Sequence, residues 1–228
     1  MSEWWTYHLA NFLLFSPRTY YRLFELYNAA IWPAQIVALA LAAGIAALAR
    51  RGGAARGRLI AAALAACWLW TGIAFQANRY ATINFAAAYF AWAFGIEASL
   101  LAVIGPVLGR LSFEPSADLA GRMGMRMFLF ALLLEPLVGP ILGRGWRQAE
   151  IFGVAPDPTA VGTLGILLGA KGARRWPLLV IPVLWCAVTG ATLLAMKAPD
   201  FWIPPLAAAL AVALAARKGR MGKGGEGG

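Results

Sequence analysis

Two glutamates in this sequence, Glu97 and Glu135, each stand alone in an apolar run that is long enough to cross a lipid bilayer. An ionised carboxylate at membrane depth costs several kcal/mol, so an acidic residue in such a run is by default a candidate functional residue. Pro136 follows Glu135 directly and removes a helical hydrogen bond next to it. Carboxylates in this setting favour the binding of a proton or a cation, for transport or for coupling.

The spacing of the two glutamates places them at the same depth. Glu97 precedes Leu108 by 11 residues, and Glu135 follows Met123 by 12. At the rise of a helix, both carboxylates lie about 16 to 18 Å from the same membrane face. If their two spans form an antiparallel hairpin, the carboxyl groups could face each other and share a proton. In the alternative, each group is protonated or hydrogen-bonded separately and only fixes the register of its helix.

A second group of polar residues is predicted near the opposite membrane face. The candidates for lining an outer vestibule there are Asn78, Arg79, Asn84, Asp157 and Thr159. Asp157, which stands between two prolines, either caps the short helix that begins there or lines the vestibule with Thr159. Arg79 is either a gate or counter-ion, or an arginine in an interfacial loop.

The sequence predicts no metal site and no cofactor. Cys67 and Cys186 share a depth, but two thiols without a third ligand are typical of small buried hydrophobic residues. The single histidine, His8, leaves most hydrolytic mechanisms without a base, and motifs of phosphate-binding loops, catalytic triads and zinc proteases do not occur. The sequence favours a role other than catalysis and leaves the question open, since the two glutamates are also able to do intramembrane acid and base chemistry.

Composition indicates a polytopic membrane protein. Of 228 residues, 61% are hydrophobic and 13% are charged, and the mean hydropathy is +0.67, which leaves too little polar surface to coat a soluble globule. The net charge of +10 comes from short basic clusters between apolar runs, a pattern of membrane topology and not of nucleic-acid binding. The opening MSEWW lacks the basic region of a cleaved signal peptide, so we expect the first span to remain as an anchor.

The apolar runs predict an all-α bundle of about seven transmembrane helices. The predicted spans are Ile31–Ala49, Leu59–Gln76, Asn84–Leu108, Met125–Gly143, Thr159–Ala170, Trp176–Met196 and Phe201–Ala216. The fifth is shorter than the roughly 17 to 25 residues of a full span, so it is either a short crossing or a re-entrant helix. Seven crossings would put fourteen of the twenty Lys and Arg residues on one side. The positive-inside rule makes that side the cytoplasm, with the N-terminus outside and the C-terminus inside.

The chain divides into an aromatic segment of residues 1–30, a helix bundle of residues 31–216 and a basic, glycine-rich cytoplasmic tail of residues 217–228. Ser16 and Pro17 are an N-cap and a first helical residue, and they begin an amphipathic helix. One face of this helix carries Tyr20, Leu23, Phe24 and Tyr27. The helix either lies along the membrane interface or packs against the bundle.

Two segments carry a resemblance to a known family. Residues 12–35, FLLFSPRTYYRLFELYNAAIWPAQ, and residues 153–168, GVAPDPTAVGTLGILL, resemble an uncharacterised family of small bacterial inner-membrane proteins. The resemblance covers most of the chain and implies a multi-pass protein of the bacterial cytoplasmic membrane, of a kind sometimes labelled transporter permease. The family pattern places a cysteine within a Pro-Cys-Pro-Thr run where Asp157 stands here, so a thiol role at that position is absent. The resemblance transfers no catalytic residue.

The predicted function is that of a small permease or an ion- or proton-coupled carrier that uses Glu97 and Glu135. The alternative is a non-catalytic membrane subunit or scaffold that docks a partner or lipid through the aromatic helix. The expected partners are the lipid bilayer and, as candidates, a second copy of the chain or a membrane complex. No nucleic acid is expected, because the basic residues lie where topology requires them.

Overall fold

The described part of the chain is built from α-helices joined by short connections. A computed structural model describes residues 15–113, 118–171 and 175–224, and no strand occurs among them. The prediction of an all-α fold is therefore confirmed for these residues. The first fourteen residues of the predicted aromatic segment and the last four of the predicted tail lie outside the described residues.

Helices follow one another along the whole described chain. They are α1 (Pro17–Ile31), α2 (Ala34–Arg51), α3 (Ala54–Trp70), α4 (Ala87–Ala102), α5 (Leu119–Leu129), α6 (Glu135–Ile141), α7 (Pro156–Gly169), α8 (Arg175–Ala195) and α9 (Ile203–Gly224). Three of them run on as π-helical turns: α3 through Thr71–Ala77, α4 through Val103–Val107 and α5 through Phe130–Leu134. The last of these turns joins α5 to α6.

Five helical stretches are long and apolar enough to cross a membrane. They are Ala34–Arg51, Ala54–Thr82, Ala87–Val107, Leu119–Ile141 and Arg175–Ala195. These match five of the seven predicted spans and agree with a multi-pass membrane protein. The segments predicted as the fifth and seventh spans fold as α7 and α9, which are not among the five. The count of seven spans is therefore not confirmed.

The π turn before Glu135 has a local cause. Pro136 carries no N–H group, so the carbonyl of Leu132 loses its usual partner four residues on. The backbone widens into the π turn Phe130–Leu134 just before this point. Such turns are frequent at functional sites because they re-aim the side chains that follow.

The short helix α7 occupies the centre of the bundle. Every residue from Pro156 to Leu168 is buried, whereas a surface helix buries only a stripe. Helices α5, α8 and α9 pack around it. Its contact with α5 depends on glycine: a Cβ atom built on Gly124 would lie 2.3 Å from the carbonyl oxygen of Gly165. Small residues of this kind let two helix backbones approach closely within a membrane.

Three connections meet at one end of the bundle, which we name the bridged face. Gly53 after α2, Phe113 after α4 and Ala170 after α7 are joined by isolated β-bridges. The carbonyls at the end of α7 accept hydrogen bonds from cationic side chains there: Lys218 Nζ lies 3.0 Å from the Leu168 oxygen, and Arg175 Nη1 lies 3.2 Å from the Ala170 oxygen. Cations at a helix C-terminus are favourable for the helix dipole.

The connections α1–α2, α6–α7 and α8–α9 meet at the other end, the opposite face. Asn28 Nδ2 donates hydrogen bonds of 2.9 Å to the carbonyls of Arg147 and Ala149. Tyr27 Oη donates to the carbonyl of Val154 at 2.8 Å, in the segment that leads into α7. Helix α7 therefore runs from the side of α1 towards the bridged face.

The aromatic face of α1 packs against the bundle, one of the two arrangements expected for this helix. Tyr20, Phe24 and Tyr27 are buried, and the rings of Phe24 and Tyr27 lie 4.8 and 5.2 Å from that of Phe75. Ser16 caps the helix as predicted, since its Oγ accepts from Thr19 N at 3.1 Å. The face of α1 that is open to lipid or a partner is the other one, where the exposed residues include Arg18, Arg22 and Leu26.

Candidate functional site

Four acidic side chains and an arginine line a small cavity near the opposite face. These five residues, which define what we name the acidic cavity, are Glu135, Arg144, Glu150, Asp157 and Asp200. The cavity has a volume of about 30 Å³, which is room for one or two water molecules. A concave site with several converging charged groups is the natural first candidate for function.

Separate parts of the fold supply these side chains. Glu135 begins α6 directly after the π turn, and Asp157 lies in the first turn of α7. Arg144 and Glu150 come from the α6–α7 connection, and Asp200 comes from the α8–α9 connection. The chain can reverse after α6 because Gly143, with a φ of 84°, adopts the left-handed backbone that glycine tolerates best.

Asp157 is held by the neighbouring helix α8. Its Oδ1 accepts hydrogen bonds from Trp185 Nε1 at 2.7 Å and from Thr189 Oγ1 at 2.8 Å. The cap position of α7 is Ala155, and no side chain caps this helix end. Asp157 therefore does not act as the N-cap of α7; it joins α7 to α8 and lines the acidic cavity.

Arg144 is a fixed positive charge at the acidic cavity. Its Nη2 forms an ion pair with Asp200 Oδ2, and its guanidinium carbon lies 4.7 Å from the centre of the Tyr21 ring. A guanidinium over an aromatic face is attracted by the ring quadrupole. The Nε atom of Arg144 is buried without a hydrogen-bond partner among the described residues, so it remains available to a group inside the cavity.

The charges around the cavity do not balance. If all four carboxylates were ionised, the guanidinium of Arg144 would leave three negative charges around this small volume. Three carboxylate oxygens are also buried without a hydrogen-bond partner in the described chain, namely Glu135 Oε2, Glu150 Oε2 and Asp200 Oδ1. Buried ionised groups without partners are strongly unfavourable, so carboxylates that crowd together take up protons or a cation.

Glu150 gives the clearest sign of this uptake. Burial raises the pKa of Glu150 well above its usual range, the charge of Asp157 raises it further, and the nearby Arg144 lowers it. Part of the residue remains accessible, but its Oε2 is enclosed. Glu150 therefore keeps its proton at pH values where an exposed glutamate has lost it.

We expect Glu150→Gln to raise the melting temperature of the protein by a few degrees at pH 8 and to leave it nearly unchanged near pH 4. The unfolded chain releases the proton of Glu150 above a pKa of about 4.3, whereas the folded chain retains it. The contribution of Glu150 to the wild-type stability must therefore fall as pH rises from that value towards the raised pKa. Glutamine removes this dependence. Thermal unfolding in detergent across this pH range measures the effect.

Glu25→Gln is the matched control for this prediction. Arg22, whose side chain is exposed, holds the half-buried Glu25 in an ion pair of 2.7 Å, and this hydrogen bond lowers the pKa of Glu25. Removing that carboxylate should lower the stability slightly or not at all at pH 8. A stabilisation by Glu150→Gln that is the same at every pH would contradict the proton-linked explanation.

Glu97 lies apart from this group. It is fully buried in α4, and neither of its carboxylate oxygens has a hydrogen-bond partner among the described residues. Helix α4 packs against α3 and α8, while the π turn before Glu135 packs against α7. The carboxylates whose charges act on Glu135 are Asp157, Glu150 and Asp200. The structure thus brings Glu135 together with these residues, and it does not bring Glu135 together with Glu97.

The vestibule candidates of the α3–α4 connection lie outside the acidic cavity. Asn78 and Arg79 are exposed, and Asn84 is half-buried. Asn84 Oδ1 accepts from the backbone N–H of Ala86 at 3.0 Å, which stabilises the turn before α4. None of the three is among the described residues that line the cavity.

Thr159 is fully buried and shapes the segment that leads into α7. Its hydroxyl donates to the carbonyl of Ala155 at 2.6 Å and accepts from the N–H of Gly153 at 2.9 Å. Gly153 fits there because it lacks a side chain, since a Cβ atom on it would lie 3.1 Å from Cys67 Sγ.

The two cysteines, Cys67 and Cys186, are both free and buried. No group of three or more His, Cys, Asp and Glu residues in the described chain is arranged to hold a metal ion.

Three residues of the acidic cavity were not anticipated from the sequence: Arg144, Glu150 and Asp200. Each stands in a short connection, where a charged residue is unremarkable by itself. A signal was nevertheless available, because these connections and Asp157 all belong to the predicted outer side. Acidic residues gathered on the side with fewer basic residues would have indicated a local site.

The comparisons with known proteins concern the family and not the activity. The model of a family described as a family of unknown function (DUF6064) matches residues 18–223. The chain belongs to this family. The match confirms the resemblance to an uncharacterised family. No curated protein and no solved structure matches the chain. The case for a function therefore depends on the geometry of the acidic cavity.

Proposed function

We propose that the protein is a small proton-coupled carrier and that the acidic cavity is its proton-binding site. The observation that carries this proposal is the unbalanced charge of the cavity. Glu135, Glu150, Asp157 and Asp200 surround about 30 Å³ together with Arg144, and three of their oxygens lack partners in the described chain. Such a cluster must exchange protons as its surroundings change, which is the elementary step of proton coupling.

The proposed topology has seven crossings in a bacterial cytoplasmic membrane, with the N-terminus outside. Support comes from the bridged face, which collects basic residues as a cytoplasmic face does. These include Arg50, Arg51, Arg56, Arg58, Arg110, Arg122 and Lys171. Helix α9 runs from Ile203 near the acidic cavity to Lys218 at the bridged face, about 23 Å at the helical rise. The acidic cavity then lies towards the outer side of the membrane.

Helix α5–α6 is the element through which protonation would act. Glu135 stands between a π turn and Pro136, so the helix at this point is easier to bend than a regular helix. Loss of protons from the cavity increases repulsion between Glu135 and the carboxylates of Glu150 and Asp157. A bend at this turn would relieve the repulsion, and it would couple proton exchange to a change in packing against α7.

Glu97 is the second proton site in this proposal. The Phe94 ring, one helical turn before Glu97, lies 5.1 Å from the ring of Trp185. Trp185 in turn donates a hydrogen bond to Asp157. Packed side chains therefore link the acidic cavity to the helix turn that carries Glu97.

Proton flux in proteoliposomes tests the proposal. An imposed pH gradient should drive proton movement through the wild type, and Glu135→Gln should abolish most of this flux because the central carboxylate can no longer exchange a proton. Glu25→Gln, which removes a carboxylate outside the cavity, should retain the wild-type rate. The proposal fails if the wild type moves no protons, or if Glu135→Gln moves them as fast as the wild type.

A further inference from the structure

A groove on the surface of the bundle separates α5 from α9. It has a volume of about 290 Å³, and its walls include Met127 of α5, Phe130 of the π turn that follows α5, and Leu206 of α9. The floor is Val161 of the central helix α7, which is only 1% exposed, whereas Leu206 on the wall is 56% exposed. The groove is thus open towards lipid and reaches α7 at its base.

The groove has the length and the polarity of a site for an acyl chain. It begins at Trp202, just before α9, and follows α9 from Ile203 to Leu210, about 10 Å at the helical rise. Trp202, at the end near the opposite face, is 52% exposed. Arg126 is the one charged residue among the described lining residues. An apolar slot of this shape loses dispersion contacts unless a chain fills it.

The charged end of the groove lies towards the bridged face. The Arg126 side chain extends towards the N-terminus of α5, and its Nη1 lies 3.6 Å from Met123 Sδ. Arg122 stands one turn earlier on the same face of α5. Both arginines are exposed, and neither forms an ion pair with a described residue. Two guanidinium groups one helical turn apart, neither in an ion pair with a described residue, are suited to a phosphate group, which they bind through paired N–H donors.

We propose that this groove binds an anionic phospholipid, with one acyl chain in the groove and the phosphate held by Arg122 and Arg126. Charge complementarity selects this occupant, because anionic headgroups are enriched in the cytoplasmic leaflet and the bridged face is basic. In this arrangement the acyl chain lies against Val161 at the floor of the groove. This proposal rests on the orientation proposed above, with the bridged face at the cytoplasm, and not on proton transport.

Native mass spectrometry of the full chain, titrated with phosphatidylglycerol and phosphatidylcholine, tests this site. The wild type should retain phosphatidylglycerol in preference to phosphatidylcholine. The double variant R122Q/R126Q should lose this preference several-fold. The double variant R50Q/R51Q removes the same charge from exposed arginines at the end of α2, and it should keep the preference.

The variant A207W tests the groove without changing any charge, because Ala207 belongs to the groove lining. The indole should fill the groove and reduce lipid retention. Equal retention of the two lipids by the wild type would overturn the proposal, and so would an equal loss in R50Q/R51Q and R122Q/R126Q. Full retention in A207W, or a dimer of the wild type that excludes lipid from this face, would overturn it as well. Melting temperatures in detergent verify that each variant is folded.

Discussion

Gly165→Ala is expected to lower the stability of the protein more than a Gly→Ala substitution at any other glycine of α7. A Cβ atom at this position would lie 2.5 Å from the carbonyl oxygen of Gly124 and 2.8 Å from the amide nitrogen of Phe128. Both are backbone atoms, so the clash is relieved only if α5 and α7 move apart. Overpacking typically costs about 1 to 3 kcal/mol, and we expect the upper end because rigid backbone lies on the other side of the contact.

The matched controls are Gly44→Ala in α2 and Gly95→Ala in α4. A Cβ atom at either position would meet nothing within 4 Å, and alanine favours helix over glycine by about 1 kcal/mol. These variants should match or exceed the wild type in thermal unfolding in detergent. Gly124→Ala should resemble Gly165→Ala because it enters the same contact. If Gly165→Ala had the same melting temperature as the two controls, this would contradict the close approach of α5 and α7.

Arg144→Met is expected to produce the second large effect. The change leaves Asp200 buried without a counter-ion in a cavity that already contains three other carboxyl groups. Removing one partner of a buried ion pair typically costs about 3 to 5 kcal/mol. The loss should be greatest at pH 8 and smaller at pH 5, because Arg144 lowers the pKa of Glu150 and its removal therefore costs most where Glu150 is ionised. Unfolding measurements at pH 5 and pH 8 compare the two conditions.

The double variant Arg144→Met with Asp200→Asn separates charge from packing. Asparagine keeps the shape of Asp200 without its charge, so it should restore much of the stability lost at pH 8. The remaining loss would report on the contact of Arg144 with the Tyr21 ring. A stability of Arg144→Met that does not change with pH, or a double variant no better than the single one, would contradict the role of Arg144 as the counter-charge of the cavity.

The helices were largely predictable because each depends on local sequence. Apolar runs predicted the five stretches that are able to cross a membrane, and Ser16 with Pro17 predicted the start of α1. Helix α7 was harder to predict, since burial on all sides leaves no periodic pattern in PDPTAVGTLGILLG. Its glycines and threonines gain their meaning only from the helices around them.

The acidic cavity depends on packing that no single stretch encodes. Glu135 was recognised because a carboxylate in an apolar run is conspicuous. Its partners were not, because Glu150 and Asp200 stand in connections that are distant in sequence and meet only when α7 and α8 are in place. The depth of Glu97 was read from helix length alone. The position of a residue along its helix determines its depth in the membrane. It does not determine which side of the helix the side chain is on or which residues it contacts.

The attachment of Lys218 to the end of α7 sets an order for biogenesis. Lys218 bonds the carbonyl of Leu168 and pairs with Asp118 at 3.3 Å, so the last helix of the described chain links two segments synthesised long before it. Helix α7 is short, and α8 and α9, which form part of its surroundings, are made after it. Helix α7 is therefore synthesised before the helices α8 and α9 that pack against it. The surroundings of α7 are complete only after α8 and α9 have been made.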